Sequence, residues 1–176
     1  MPSAVADIVL FLDVDGCVAP VDVRQLAEEW APWMYVASRL TTHLYLSPQM
    51  GEVLRGLPVQ IKWLTTWEMD GYANRDIAPA LGWEPLEILP RDSCNEDPWW
   101  KLHALLAHGV GDPFVWVDDQ LPYFEQEVHE ALIEAGAGPA LLVAPDPYVG
   151  LTRQQVEAIR EFAEEHAPLV RDGGGA

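Results

Sequence analysis

Short, continuous apolar runs that alternate with helical patterns are the feature that most constrains the fold of this chain. Such runs, rich in β-branched and aromatic residues, predict buried strands. They lie at 7–12, 59–64, 86–89, 114–117 and 140–143. Helical patterns lie at 48–55, 74–81, 99–108 and 122–135, and a last one follows a capping box of Thr152 and Gln155. Together they predict a parallel sheet of about five strands with helices on both faces, a three-layer α/β/α domain.

Residues 18–46 lack a clean helical pattern and are the exception to this alternation. WMYVA and HLYLS stand on either side of a polar turn, which predicts a small hairpin beside the main sheet. A short helix near 24–30 is compatible with the same stretch. The chain has no internal repeat and no linker, so we expect a single domain over residues 1–170. We expect the RDGGGA tail, residues 171–176, to be disordered.

Charge and cysteine content restrict the partners and the compartment. Twenty-eight acidic residues against ten basic ones leave a net charge of −18. This negative field repels phosphate backbones, so we expect no tight non-specific binding of nucleic acid. No apolar run reaches the roughly 18 residues of a membrane span. The two cysteines, Cys17 and Cys94, form no disulfide framework, and the first residues lack a basic secretory signal, which together predict a cytoplasmic protein.

Two of the predicted strands end in paired acids. The first runs into Asp13 and Asp15, followed by Gly16, and the fourth runs into Asp118 and Asp119. Ligands of open parallel sheets bind beyond the carboxyl ends of the strands, so the two pairs should meet in one crevice. Clustered carboxylates repel one another unless a cation lies between them. Oxygen ligands without nearby His or Cys predict a hard cation, and Mg²⁺ is the usual one where phosphate is the substrate.

Hydroxyl groups and a lysine supply two further features. Thr65 and Thr66 follow the second predicted strand, where a turn or helix cap is an equally good explanation of a threonine. Lys101 begins the helical pattern after the third strand. A lysine there is ordinarily a solvated surface charge. This chain, however, has only two lysines, Lys62 and Lys101, among its ten basic residues.

Taken in order, these motifs resemble those of the haloacid dehalogenase-like superfamily of phosphohydrolases. Four motifs of the superfamily occur here in the same order. The strand that ends in DxD reads FLDVDG, and the strand that ends in Thr or Ser reads WLTTW. The lysine lies in WWK, and the strand that ends in paired acids reads FVWVDD. The resemblance extends from about residue 7 to residue 166. It implies a Rossmann-like fold and Mg²⁺-dependent phosphatase activity that passes through an aspartyl phosphate.

The resemblance also implies a role for each matching residue. Asp13 would be the nucleophile, and Asp15 would be the general acid and base that also offers its backbone carbonyl to the metal. Thr65 would bind the transferring phosphoryl group and Lys101 would neutralise it. The substrate-binding set is then Gly16, Thr65, Thr66 and Lys101, and the Mg²⁺ set is Asp13, Asp15, Asp118 and Asp119. The second aspartate of DxD favours a phosphatase or phosphomutase over the superfamily's dehalogenases, which lack it.

The identity of the phosphorylated substrate stays open. The intervals between the motifs leave no room for a full cap domain, so only the hairpin near 18–46 can screen the site. Such an open site suits a large substrate, or a small phosphoester enclosed by oligomerisation of the chain. The segment LTTWEMDGYAN is similar to small bacterial domains of this superfamily that accompany RNA-repair modules, which makes nucleic-acid ends the alternative substrate. A non-catalytic binding module that has kept the fold is a third alternative.

Overall fold

The computed structural model describes residues 8–22, 24, 26–38, 44–91 and 99–167. The predicted tail at 171–176 and Cys94 lie outside them. The strands are β1 (Val9–Leu12), β2 (Met34–Val36), β3 (Leu44–Leu46), β4 (Gln60–Trp63), β5 (Phe114–Val117) and β6 (Ala140–Val143). The helices are α1 (Pro48–Arg55), α2 (Ala78–Ala80), α3 (Trp100–His108), α4 (Glu125–Glu134) and α5 (Arg153–His166). The fold class is therefore mixed α/β, as the sequence predicts.

Four of these strands form one parallel sheet in the order β4-β1-β5-β6. The register places Leu12, the last residue of β1, beside Trp63 of β4 and Val117 of β5. The carboxyl ends of three adjacent strands are thus level, and the segments that follow them leave the sheet at one edge. The backbone N–H of Asp13 continues this ladder by donating to the carbonyl oxygen of Val117 at 3.1 Å.

The predicted number of strands, about five, is not confirmed in the described part of the chain. The apolar run at 86–89 lies beside β4 but makes only an isolated parallel bridge, between Ile88 and Trp63. Pro85 and Pro90 bound this run. Proline is rare inside a strand because it has no backbone N–H to donate, so a short run between two prolines favours a single bridge over an extended strand.

Alternation along the strands divides the buried side chains into two clusters. Leu10 and Leu12 of β1 belong to a cluster that also contains residues of α1 and α5. Phe11 of β1 and Trp116 of β5 belong to the other, which contains residues of α3 and α4. Successive side chains of a strand point to opposite faces, so the apolar runs without alternation predict this burial on both sides.

Local sequence signals account for several helix boundaries. Ser47 caps α1, accepting a hydrogen bond from the backbone N–H of Met50. Both hydrogen bonds of the predicted capping box at Thr152 and Gln155 are present at the start of α5. The helix predicted at 74–81 differs in kind, because Ala73–Ile77 is a turn of π-helix that leads into α2.

The segment at 18–46 contains the predicted hairpin, in which β2 and β3 pair antiparallel. A three-residue 3₁₀ turn, Glu28–Trp30, is the only helical piece of this segment that extends over consecutive described residues. The Trp30 side chain is fully buried, and its indole N–H donates to the carbonyl oxygen of Leu151 at 2.6 Å. Trp30 therefore anchors this segment in the core. Among the described residues, no helix has the length and apolar character that a membrane crossing requires.

Candidate active site

Three carboxylates from the ends of β1 and β5 meet at the level edge of the sheet. Each of Asp13, Asp118 and Asp119 offers an oxygen, and these oxygens lie within 4.8 Å of one another. The two strands are hydrogen-bonded neighbours, so residues that directly follow them must be close in space. Clustered hard oxygen donors of this kind suit Mg²⁺. The side chain of Asp15 does not belong to this cluster, and the part expected of its backbone carbonyl stays a prediction.

Lys101, in the first turn of α3, lies between two of these carboxylates. Its Nζ is 2.5 Å from Oδ2 of Asp13 and 2.7 Å from Oδ2 of Asp118. All three side chains are almost inaccessible to solvent. Burial alone lowers the pKa of Lys101, but the charges of the two aspartates and their hydrogen bonds outweigh it and hold that pKa above its usual range. The lysine is therefore a fixed cation within the acidic cluster.

Negative charge remains in excess around the two acids that follow β5. Burial and then the charge of Asp13 raise the pKa of Asp118, although Lys101 and the backbone N–H of Gln120 bind its carboxylate. Burial and the charges of Asp118 and Asp13 raise the pKa of Asp119 to about 6. A carboxylate whose pKa is raised by its neighbours is stabilised in the ionised form by an added cation. The cluster therefore has the electrostatic character of a cation site.

Gly16 lets Asp119 approach the loop that follows β1. Its φ is +69°, and a Cβ built on it would lie 2.6 Å from Cγ and Oδ2 of Asp119. Any side chain at position 16 would therefore displace the Asp119 carboxylate or the loop, besides being strained in the left-handed region. The expectation that Gly16 binds substrate is untested, but its proximity to Asp119 gives it a steric role in the cluster.

Asp15 extends from the same loop toward solvent, and its carboxylate has one indole partner. Nε1 of Trp67 donates to Oδ2 of Asp15 at 2.8 Å. The protein around Asp15 removes part of its hydration and raises its pKa, an effect that the Trp67 hydrogen bond opposes. Charge repulsion from Asp13 adds to the increase. Asp15, the predicted acid and base, is thus exposed to solvent and is held on one side by Trp67.

The two threonines after β4 differ in accessibility. Thr65 is fully buried, and its Oγ1 accepts a hydrogen bond from the backbone N–H of Trp67 at 3.3 Å. Thr66 is exposed. Since β4 neighbours β1, Thr65 leaves the sheet at the same edge as Asp13. Thr65 is thus the buried one of the two threonines at this edge, and the phosphoryl-binding role expected of it stays a prediction.

Two residues near the cluster were not singled out by the site motifs. Trp67, in the loop after β4, donates its indole N–H to Asp15. Glu68 follows it and carries a buried Oε2 that has no hydrogen-bond partner in the described part of the chain. Burial raises the pKa of Glu68 above its usual value, and a backbone hydrogen bond and the charges of Arg91 and Lys101 offset only part of that increase. The sequence signal for both residues is their position directly after Thr65 and Thr66.

A small cavity, with room for about one water molecule, adjoins the lysine side of the cluster. It lies between the starts of α3 and α4 and has mainly apolar walls, among them Trp99, Trp116 and Phe124. Nε1 of Trp116 is buried there without a hydrogen-bond partner among the described residues. A buried N–H beside a cavity is a common place for an ordered water molecule.

The assembled groups are three carboxylates that could hold a cation and a lysine that contacts two of them. Neither a scan of protein-family models nor a search of curated proteins finds a match to this chain. Any functional conclusion must therefore rest on the site and on the order of its motifs.

Proposed function

We propose that this chain is a Mg²⁺-dependent phosphatase of the haloacid dehalogenase-like type, which hydrolyses a phosphomonoester through an aspartyl phosphate on Asp13. The observation that carries the proposal is the position of Lys101 between Asp13 and Asp118, beside a three-carboxylate cluster at the ends of adjacent parallel strands. One acidic partner would neutralise a buried structural lysine, whereas Lys101 contacts two buried acids and a third belongs to the same cluster. A site that must stabilise a phosphoryl group in transfer needs both kinds of charge.

Mg²⁺ fits the donor set, because Asp13, Asp118 and Asp119 offer hard oxygen ligands and retain an excess of negative charge. Bound there, the ion would reduce the repulsion between the phosphate and the carboxylates. An oxygen of Asp13 forms a bond to phosphorus while the bond from phosphorus to the leaving oxygen breaks. Lys101 neutralises charge that develops on the phosphoryl oxygens, and Thr65 donates its hydroxyl hydrogen to one of them.

Asp15 acts twice in the proposed reaction. It first gives its proton to the leaving oxygen, so that an alcohol and not an alkoxide departs. In its ionised form it then removes a proton from a water molecule that attacks phosphorus. The bond between phosphorus and Asp13 breaks, which releases inorganic phosphate and regenerates both carboxyl groups. The exposed position of Asp15 supports this role, since leaving group and water must both reach it.

The finer description of the fold belongs to the same proposal. The two buried clusters on either face of the sheet support a three-layer, Rossmann-like domain without a full cap. The chain then works as a single domain in the cytoplasm, with the hairpin near 18–46 as a flap. Its partner is a phosphorylated substrate, and the net charge of −18 favours a small or terminal phosphate over a long polyanion.

A phosphatase screen with matched variants tests the proposal. Inorganic phosphate release is measured with Mg²⁺ and with EDTA on sugar phosphates, nucleotides, phosphopeptides and oligonucleotides phosphorylated at the 3′ or 5′ end. Asp13→Asn should abolish turnover, because an amide cannot form the acyl phosphate, whereas Asp112→Asn, at an exposed loop position, should not.

The outcomes of this screen separate the three candidate functions. Release of inorganic phosphate from oligonucleotide ends, and not from the other substrates, identifies the chain as a nucleic-acid end-processing phosphatase. Turnover by folded Asp13→Asn equal to that of the wild type overturns the nucleophile assignment. Stabilisation by Mg²⁺ without turnover on any phosphomonoester identifies a binding module. Beryllium fluoride, which mimics a phosphoryl group on aspartate, should stabilise the wild type in Mg²⁺ but not Asp13→Asn.

A further inference from the structure

Trp67 connects two motifs that are far apart in the chain. Its backbone N–H donates to Oγ1 of Thr65 at 3.3 Å, and its indole Nε1 donates to Oδ2 of Asp15 at 2.8 Å. The ring is only 3% exposed. A buried ring in one rotamer gives the indole N–H a fixed direction. The two hydrogen bonds therefore tie the loop after β4 to the loop after β1.

The chemistry of the indole group makes this contact selective. Indole Nε1–H is a donor only, and the unprotonated oxygen of a carboxyl group is a much better acceptor for it than the hydroxyl oxygen. With Oδ2 of Asp15 engaged in this way, Oδ1 is the oxygen left to carry a proton. An exposed aspartate without such a partner would distribute its carboxylate over several rotamers. The contact thus selects both the direction of the side chain and the oxygen that can exchange a proton.

We propose that Trp67 is the positioning residue of Asp15, which holds this carboxyl group so that Oδ1 faces the leaving oxygen of the substrate. This inference rests on the proposed phosphatase function and adds a residue to it. Trp67 itself touches neither the reacting phosphorus nor the cation. Its contribution is to keep the proton donor in one orientation, and such positioning is a substantial part of catalysis.

Trp67→Phe and Trp63→Phe form a matched pair for the test. Each variant removes one buried indole N–H and keeps an aromatic ring. Nε1 of Trp63 donates to Oδ1 of Asn74 at 3.1 Å, away from the acid and base. A structural defect should therefore be common to both variants, whereas a defect in proton delivery should be confined to Trp67→Phe. Trp67→Leu serves as a second variant without the donor if Trp67→Phe does not fold.

Two substrates that differ in leaving group reveal the effect on proton delivery. p-Nitrophenyl phosphate has a leaving group that departs without a proton, whereas an alkyl phosphate needs one. Loss of Trp67 should lower kcat/KM, which reports phosphoryl transfer to Asp13 and departure of the leaving group, about tenfold or more further on the alkyl phosphate than on p-nitrophenyl phosphate. The reason is that acid catalysis contributes far more to the poor leaving group. Trp63→Phe should lower kcat/KM on both substrates by the same factor. Equal losses of kcat/KM on both substrates in Trp67→Phe would overturn the inference.

Nuclear magnetic resonance tests the contact without any turnover. In protein labelled with ¹⁵N-tryptophan, Asp15→Ala should shift the indole N–H resonance that Trp67→Phe removes, and should leave the Trp63 resonance in place. A Trp67 resonance unaffected by Asp15→Ala would overturn the contact. Absence of wild-type turnover on all phosphomonoesters refutes the proposed function. Wild-type turnover with equal losses on the two leaving groups refutes only the role of Trp67.

Discussion

Replacement of Lys101 by methionine removes the cation between two buried carboxylates while keeping an unbranched side chain of similar length. Asp13 is 4% exposed and Asp118 is 2% exposed, so water cannot replace the lost charge. The ammonium nitrogen lies within 2.7 Å of both of them. Lys101→Met therefore leaves two neighbouring buried anions without the cation that lies between them.

Lys101→Met should reduce both the folding free energy and the rate of turnover by large amounts. Removal of one partner from a buried ion pair typically costs about 3–5 kcal/mol of folding free energy, because the remaining charge stays buried. In a domain of this size about 3 kcal/mol corresponds to a fall in Tm of roughly 10 °C. Turnover should fall by about 10²-fold or more, since the charge that offsets the phosphoryl group is lost. Urea denaturation, thermal melting and phosphate release measure these effects.

Lys62→Met is the matched control, since Lys62 is the chain's other lysine and is equally buried. Its Nζ contacts Nε2 of His108 at 2.9 Å and Oε2 of Glu87 at 2.8 Å. The Glu87 side chain is 55% exposed, so water solvates it once the lysine is gone. We expect a loss of about 1 kcal/mol and little change in turnover. Equal losses of stability and turnover in the two variants would refute the reasoning.

The pH dependence of Lys101→Met provides a second check. Burial and the charge of Asp13 already raise the pKa of Asp118 in the wild type, and loss of Lys101 raises it further. An aspartate with a raised folded-state pKa destabilises the fold as it ionises, so stability is lost as pH rises. The stability difference between the variant and the wild type should therefore be smaller in acid than at neutral pH. A difference independent of pH would contradict the assigned cause.

Three further perturbations test the cluster. Mg²⁺ should raise the wild-type Tm, and Asp118→Asn should reduce that rise, because a ligand that binds only the folded state stabilises it; an undiminished rise in thermal melts would exclude Asp118 as a ligand. Without metal, Asp119→Asn should become increasingly more stable than the wild type between about pH 4 and pH 7, since the Asp119 pKa is raised to about 6 and its ionisation opposes folding; urea titrations at each pH check this sign. Gly16→Ala should cost about 1–2 kcal/mol through its left-handed backbone alone and should weaken the Mg²⁺ response by displacing Asp119; an unchanged response would refute the steric role.

Local patterns in the sequence were sufficient for much of the fold. The apolar runs specify strands at 9–12 and 114–117, and the cap residues Ser47 and Thr152 specify where α1 and α5 begin. These signals act over a few residues, through hydrogen bonds and side-chain burial within one element. The paired acids could likewise be placed at strand ends, because the order of elements in a parallel sheet sends those ends to one edge.

Contacts between distant segments were decided only by the tertiary structure. The apolar run at 86–89 has the composition of a strand, yet among the described residues it makes a single bridge to β4. Lysine count alone could not show that Lys101 contacts two buried acids while Lys62 contacts an exposed one. The hydrogen bond between Trp67 and Asp15 spans 52 positions of sequence. Such contacts depend on how loops leave adjacent strands and on which rotamers the packed core permits. Neither can be predicted from the residues of one short segment.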